Sequence, residues 1–126
     1  MDVTLGPWTA AHAENKPLAE AMGNEAWKTV EKAADFTPKE APKGKAATRG
    51  YTISGRLTSV VKHGNSLQIL SAFTIWVDGT MSNVPPIQGT GSAVGSTAED
   101  VVRAITEDRI KKILETLKTG RVVKAA

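Results

Sequence analysis

The 126-residue chain contains no cysteine, which excludes a disulfide framework, a thiolate metal site and a cysteine nucleophile together. Its two histidines, His12 and His63, fall near a strand–helix junction and in a hairpin loop. They are too scattered to build a zinc site without carboxylates that the sequence does not bring to them. No apolar run approaches the ~20 residues that a membrane-spanning helix needs. There is no Gly-x-Ser-x-Gly elbow. The adjacent pairs Glu99-Asp100 and Glu107-Asp108 point in different directions on a helix, so they read as solvated surface and not as an acid/base pair. The expectation is a protein that is not an enzyme and that carries no cofactor and no metal.

What is present is close to the globular average: 40% apolar and 23% charged residues, enough to bury a core in one domain spanning 1–126. The net charge of +3 is local. Residues 38–50 hold Lys39, Lys43, Lys45 and Arg49 against Glu40, and with Pro38, Pro42 and Gly44 they read as a mobile basic loop over 38–49 without regular structure. Such a loop is either a solvated connector or part of an anion-binding footprint. No aromatic residue is interleaved in it for base stacking, so nucleic acid is not the expected partner.

Residues Val3 to Trp8 alternate apolar and small or polar side chains and stop at the breaker Gly6-Pro7, as a short first strand does. From Lys16 to Ala34, Leu18, Met22, Trp27 and Val30 give helical spacing, with Asn15 as N-cap and Pro17 in the first turn. Gly23-Asn24 marks a kink or break in this helix, and Trp27 reads as core.

Between Gly50 and Asp78 the apolar residues Tyr51, Ile53, Leu57 and Val61, then Leu67, Ile69, Phe73, Ile75 and Val77, all occupy odd positions, which predicts a long hairpin. A three-residue loop, His63-Gly64-Asn65, places both apolar sets on one face. It pairs Val61 with Leu67, Gly55 with Phe73 and Ile53 with Ile75. Gly55 then leaves room for the Phe73 ring. Leu70, Ala72 and Trp76 lie on the opposite face, where a loop or a partner could cover them.

Pro85-Pro86 delays the next strand to Ile87–Val94, a glycine-rich edge strand. Ser96 and Glu99 form a capping box for a helix that runs to about Thr119 and stops at Gly120. Its apolar stripe rotates midway, so Ile110, Leu114 and Leu117 are expected to meet the first helix or another chain. Gly95, Ser96 and Thr97 at the helix start, with Lys39, Lys43, Lys45 and Arg49, form the candidate anion site, although neither the P-loop nor the dinucleotide fingerprint is met.

The predicted fold class is α+β: an antiparallel sheet of three to four strands around a long hairpin, packed against an N-terminal and a C-terminal helix. The run Gly50-Tyr51-Thr52-Ile53-Ser54-Gly55-Arg56-Leu57, the Asp78-Gly79 turn and the helix start Thr97-Ala98-Glu99-Asp100-Val101-Val102 resemble small α+β domains of bacterial envelope proteins. The group is that of the TolB N-terminal domain, CsgG and LpoB. This chain departs from the pattern where the basic loop replaces a second β-α unit and where no lipid-bearing cysteine is seen. The resemblance implies a non-catalytic envelope protein that works through contacts with a protein partner or with copies of itself. Leu70, Trp76, Ile110, Leu114 and Leu117 are the candidate contact residues. The location is periplasmic or extracellular if a signal peptide has been removed, and cytoplasmic otherwise. The alternative is a small protein that holds an anionic ligand or nucleic acid through the basic loop 39–49 and the glycine-rich helix start 89–97.

Overall fold

In the computed structural model, which describes residues 1–92, 97–120 and 122, six strands form one sheet and two helices cover a single face of it. The strands are β1 (Asp2–Ala10), β2 (Thr37–Glu40), β3 (Tyr51–His63), β4 (Ser66–Val77), β5 (Thr80–Met81) and β6 (Ile87–Gly91). The helices are α1 (Lys16–Lys32) and α2 (Ala98–Lys118). The spatial order is β2-β1-β3-β4, with β5 and β6 sharing the far edge of β4. The α+β class and both helices agree with the sequence. The sheet does not: it has more strands than predicted, and it is mixed, because β1 runs parallel to both β2 and β3.

Two bulges decide what faces the core. In β1, the pairing shifts from Leu5↔Ile53 to Trp8↔Gly55, so three steps on β1 match two on β3. One extra residue at Gly6-Pro7 reverses the inward parity from odd (Val3, Leu5) to even (Trp8, Ala10). The strand therefore continues through the Gly-Pro pair instead of stopping there. Trp8 turns into the helix layer and lies edge-on to Phe73, with ring centroids 6.4 Å apart. It fits only because two glycines flank it. A Cβ on Gly23 would lie 2.5 Å from Trp8 Cδ1, and one on Gly55 2.6 Å from Trp8 Cζ3. Gly23 thus serves close packing, and α1 runs unbroken across it. The space above Gly55, expected to take the ring of its pairing partner Phe73, is filled by Trp8 and Met22.

The second bulge lies at Thr58 in β3, between the pairs Leu57↔Ser71 and Ser59↔Leu70. The predicted register holds from Tyr51 to Leu57, including Gly55↔Phe73 and Ile53↔Ile75. Beyond the bulge it changes: Val61 pairs with Gln68, Lys62 with Leu67 and His63 with Ser66. The loop is therefore the two-residue turn Gly64-Asn65, not three residues. Gly64 has φ +59° at the first turn position, as a type II′ turn requires. A two-residue turn and one bulge together reach the same core alignment that a longer loop would have given. The side chain that changes sides is Val61, which is 39% exposed, while Val60 pairs with the buried Ile69 and packs on the core.

The segment predicted as an irregular loop at 38–49 begins with the edge strand β2, followed by a short 3-10 turn at Pro42–Gly44. Thr37 N–H donates to the Met1 carbonyl, 2.9 Å, so in this parallel pair the nitrogens of Pro38 and Glu40 point away from β1. Pro38 is accommodated because its missing N–H faces outward. Ala41 lies against Gly6 beside the α1 cleft, and the chain then passes to the face opposite the helices, where Ala47 N–H donates to Thr52 Oγ1, 3.0 Å. Thr4 and Thr52, both on that outer face, are buried.

On the helix side, Val3, Met22, Val30, Ile53, Leu57, Phe73, Val102, Ile110, Ile113 and Leu117 make up the core. The buried Thr29 and Thr106 hydroxyls donate to the carbonyls of Glu25 and Val102, which lets polar residues sit in a helix contact without unmet donors. At the start of α2 the N-cap is Thr97, whose Oγ1 accepts from Asp100 N–H, 3.1 Å; the predicted capping residue Ser96 lies outside the described residues. The glycines of β6 admit α2 closely, since a Cβ on Gly89 would lie 2.4 Å from Ile105 Cγ2.

Gly55→Ala and Gly89→Ala should each lower stability by about 1–3 kcal/mol through overpacking, read as a fall in the urea midpoint with unchanged slope. Gly64→Ala meets no neighbouring atom and should cost less, through its positive φ alone.

Candidate interaction surfaces

Among the described residues, no helix lies over the outer face of the sheet. The crossover segment covers its β1–β3 side, and the β4 side stays open. Leu70, Ala72 and Trp76 all lie on that open side, half-buried. Met81, opposite Trp76 on β5, is 46% exposed. The Trp76 indole is held down by its own N–H, which donates to Ser54 Oγ across the hairpin, 2.8 Å. The ring thus lies along the sheet and offers its surface to whatever binds there. Leu70 and Trp76 accordingly keep their place among the candidate contact residues.

Ile110, Leu114 and Leu117 do not. All three are buried within the chain's own fold, Leu114 to 5% exposure. The stripe rotates because α2 has two neighbours: its first half lies on β6 through Val101 and Ile105, and it packs extensively on α1. Arg103 joins the helices through Glu25, 3.4 Å, and is steadied within α2 by Glu99, 3.3 Å. Of the two partners that the sequence left open for this surface, the first helix is the one that fills it.

The candidate anion site is not assembled either. Gly95 and Ser96 lie outside the described residues, and Thr97 starts α2 beside β6. Lys39 is on β2, with Lys43, Lys45 and Arg49 in the crossover that follows it. β2 and β6 are opposite edges of the sheet, four strand spacings or roughly 19 Å apart. One small anion cannot meet both Lys39 and Thr97, and the crossover that carries Lys45 and Arg49 passes over the outer face, whereas α2 lies on the other face.

The titrating side chains that are displaced belong to exposed ion pairs in the helix layer. A hydrogen bond from Lys118, and then its charge, holds the Asp35 carboxyl below its usual range and raises Lys118 in return. Lys111 acts in the same way on Glu107. Among the described residues no group of three metal-type side chains comes together, and no helix is long and apolar enough to cross a membrane.

Sequence reasoning missed a cleft of about 530 Å3 between α1, the β1 bulge and the end of β2. Pro7, Trp8 and Trp27 form its apolar walls, and Glu20, Asn24 and Glu40 its polar ones. Trp27, expected in the core, stands half-buried at its rim with Nε1 donating to Glu31, 3.3 Å. The signal for this cleft was the glycine at position 23, which draws α1 onto Trp8.

No protein-family model matches the chain, and no curated protein matches it in sequence. In three dimensions it is similar to the PelC dodecamer from Paraburkholderia phytofirmans, at 12% identity over 85% of this chain and 83% of that one, TM-score 0.58. It is also similar to the hypothetical protein CT253 from Chlamydia trachomatis, at 7% identity over 94% and 96%, TM-score 0.65. A third similar structure is protein XCC0632 from Xanthomonas campestris, at 11% identity over 93% and 80%, TM-score 0.52. What these proteins share with the chain is the fold.

Ser54→Ala should free the Trp76 indole and cost about 1 kcal/mol of stability. A blue-to-red shift of tryptophan emission on the folded protein, with a lower urea midpoint, is the expected reading.

Proposed function

We propose that the protein is a non-catalytic interaction module of the bacterial envelope that associates with copies of itself. The observation that carries this reading is the open β4 side of the outer sheet face, where Leu70, Trp76 and Met81 present apolar surface. A large ring at the centre of such a patch typically contributes ~2 kcal/mol or more when a partner encloses it. The adjacent β6 pairs only with β4 among the described residues, so its outer edge adds unpaired backbone groups there. Residues 87–91 contain no charge and no proline, the two devices that commonly protect an edge strand.

Two further points support the reading. One structure of the same fold is described as a dodecamer, so this architecture is compatible with extensive self-association. The envelope location follows the kind of small domain that the sequence resembles, the group of TolB, CsgG and LpoB. Absence of catalysis is part of the proposal, and it is favoured by open surfaces that carry no paired acid and base. The alternative, anion binding through residues 39–49 and 89–97, is disfavoured by the distance between its two halves.

Sedimentation of the wild-type chain should show association that increases with concentration and persists in high salt, since apolar contacts are not screened. Trp76→Ala combined with Thr90→Lys should shift it to monomer, with the urea transition showing that the variant stays folded despite losing the Trp76–Ser54 hydrogen bond. A wild-type chain that stays monomeric at high concentration overturns the proposal.

A further inference from the structure

The cleft between α1 and β2 lies on the opposite side of the sheet from the surface proposed for self-association, and its chemistry differs. Two carboxylates, Glu20 and Glu40, line it, and no cationic side chain does. Neither carboxylate has an ion-pair partner among the described residues. Lys39 alternates to the other face of β2, where it pairs with Thr4. A chain with a net charge of +3 thus keeps a pocket free of positive charge beside its most basic segment.

The aromatic groups complete the pattern. Trp27 contributes an indole to one wall, and Pro7 a flat apolar surface. Trp8 Nε1 lies at the floor, between Gly6 and Gly23. The other two indole N–H groups are bonded, to Glu31 and to Ser54. Trp8 Nε1 has no partner among the described residues and is still reached by solvent, since it is absent from the fully enclosed unpaired atoms. A ligand that suits the cleft therefore brings a cation for the carboxylates and the ring, and a carbonyl for the indole N–H. A volume of about 530 Å3 admits more than a single ion. The Glu40 N–H, turned outward on the free edge of β2, supplies a further donor at the rim.

We propose that this cleft receives a basic peptide segment of a partner protein. A lysine or arginine side chain lies against Trp27 between Glu20 and Glu40, and a neighbouring peptide carbonyl accepts from Trp8 Nε1–H. An extended peptide carries both groups a few ångströms apart, which an inorganic cation does not. The partner is distinct from a second copy at the open sheet face, so the site stands or fails independently of self-association.

The test is isothermal titration of the whole chain with the end-blocked peptide Gly-Arg-Gly-Lys-Gly, beside the uncharged Gly-Gln-Gly-Met-Gly. The basic peptide should bind saturably and more weakly as salt rises, and the neutral peptide should not bind. Glu20→Gln with Glu40→Gln should weaken binding roughly 5- to 10-fold; both side chains are exposed, so the fold should be unaffected, and the urea midpoint checks this. Equal binding of both peptides, unchanged affinity in the double variant, no saturable heat, or a response only to a neutral chito-oligosaccharide would each overturn the proposal.

Discussion

Trp8 is the contact on which the arrangement of the two layers depends. The extra residue at Gly6-Pro7 in β1 turns an even-numbered side chain toward the helices, and the indole fills the gap that two missing Cβ atoms leave at Gly23 and Gly55. That ring fixes how near α1 comes to the sheet, and its contact with Phe73 carries the same constraint into β4. One indole closes the core with its six-membered ring and floors an external cleft with its nitrogen. Packing and recognition are therefore coupled at this position: a change that loosens α1 also reshapes the cleft.

The parts legible in the sequence were those with a period. Odd-numbered apolar residues from Tyr51 to Val77 located β3 and β4, and 3.6-residue spacing located both helices. The parts not legible were those where a strand breaks its own period. A bulge leaves no mark on composition, and the bulge at Thr58 with a two-residue turn produces the same core alignment as a three-residue loop without it. Hydrophobic patterning alone cannot separate these two solutions, and Val61 is the residue that tells them apart. β2 was hidden for a different reason. Four residues that include Pro38 and Lys39 have the composition of a loop, and they become a strand because β1 offers a free edge and Thr37 takes it.

The candidate surfaces divide in the same way. Leu70 and Trp76 were visible because they stand out of phase with the buried set on β4. For the second half of α2 the sequence left the first helix and another chain open, and the structure takes the first helix: a rotating stripe signals two neighbours, and both lie inside the chain. The cleft was not visible because its walls come from three distant stretches, around residues 7, 24 and 40, joined only by the tertiary fold. Gly23 was read as a weakness of the helix, whereas its role is to admit a ring from elsewhere.

The two borders of the sheet are unlike, and this limits the kind of aggregate the chain can form. The β2 border is short, and of its two outward nitrogens, those of Pro38 and Glu40, only that of Glu40 carries a proton to donate; the β6 border has no further strand on it among the described residues. A sheet with two long open borders could propagate copy after copy into a fibre, as cross-strand stacking does. With one border reduced to a single outward donor, strand-to-strand joining stops at a pair related by a two-fold axis. Any closed ring of higher order built from this chain must therefore be held by contacts between side chains on its faces, and continuous backbone pairing around such a ring is not available to it.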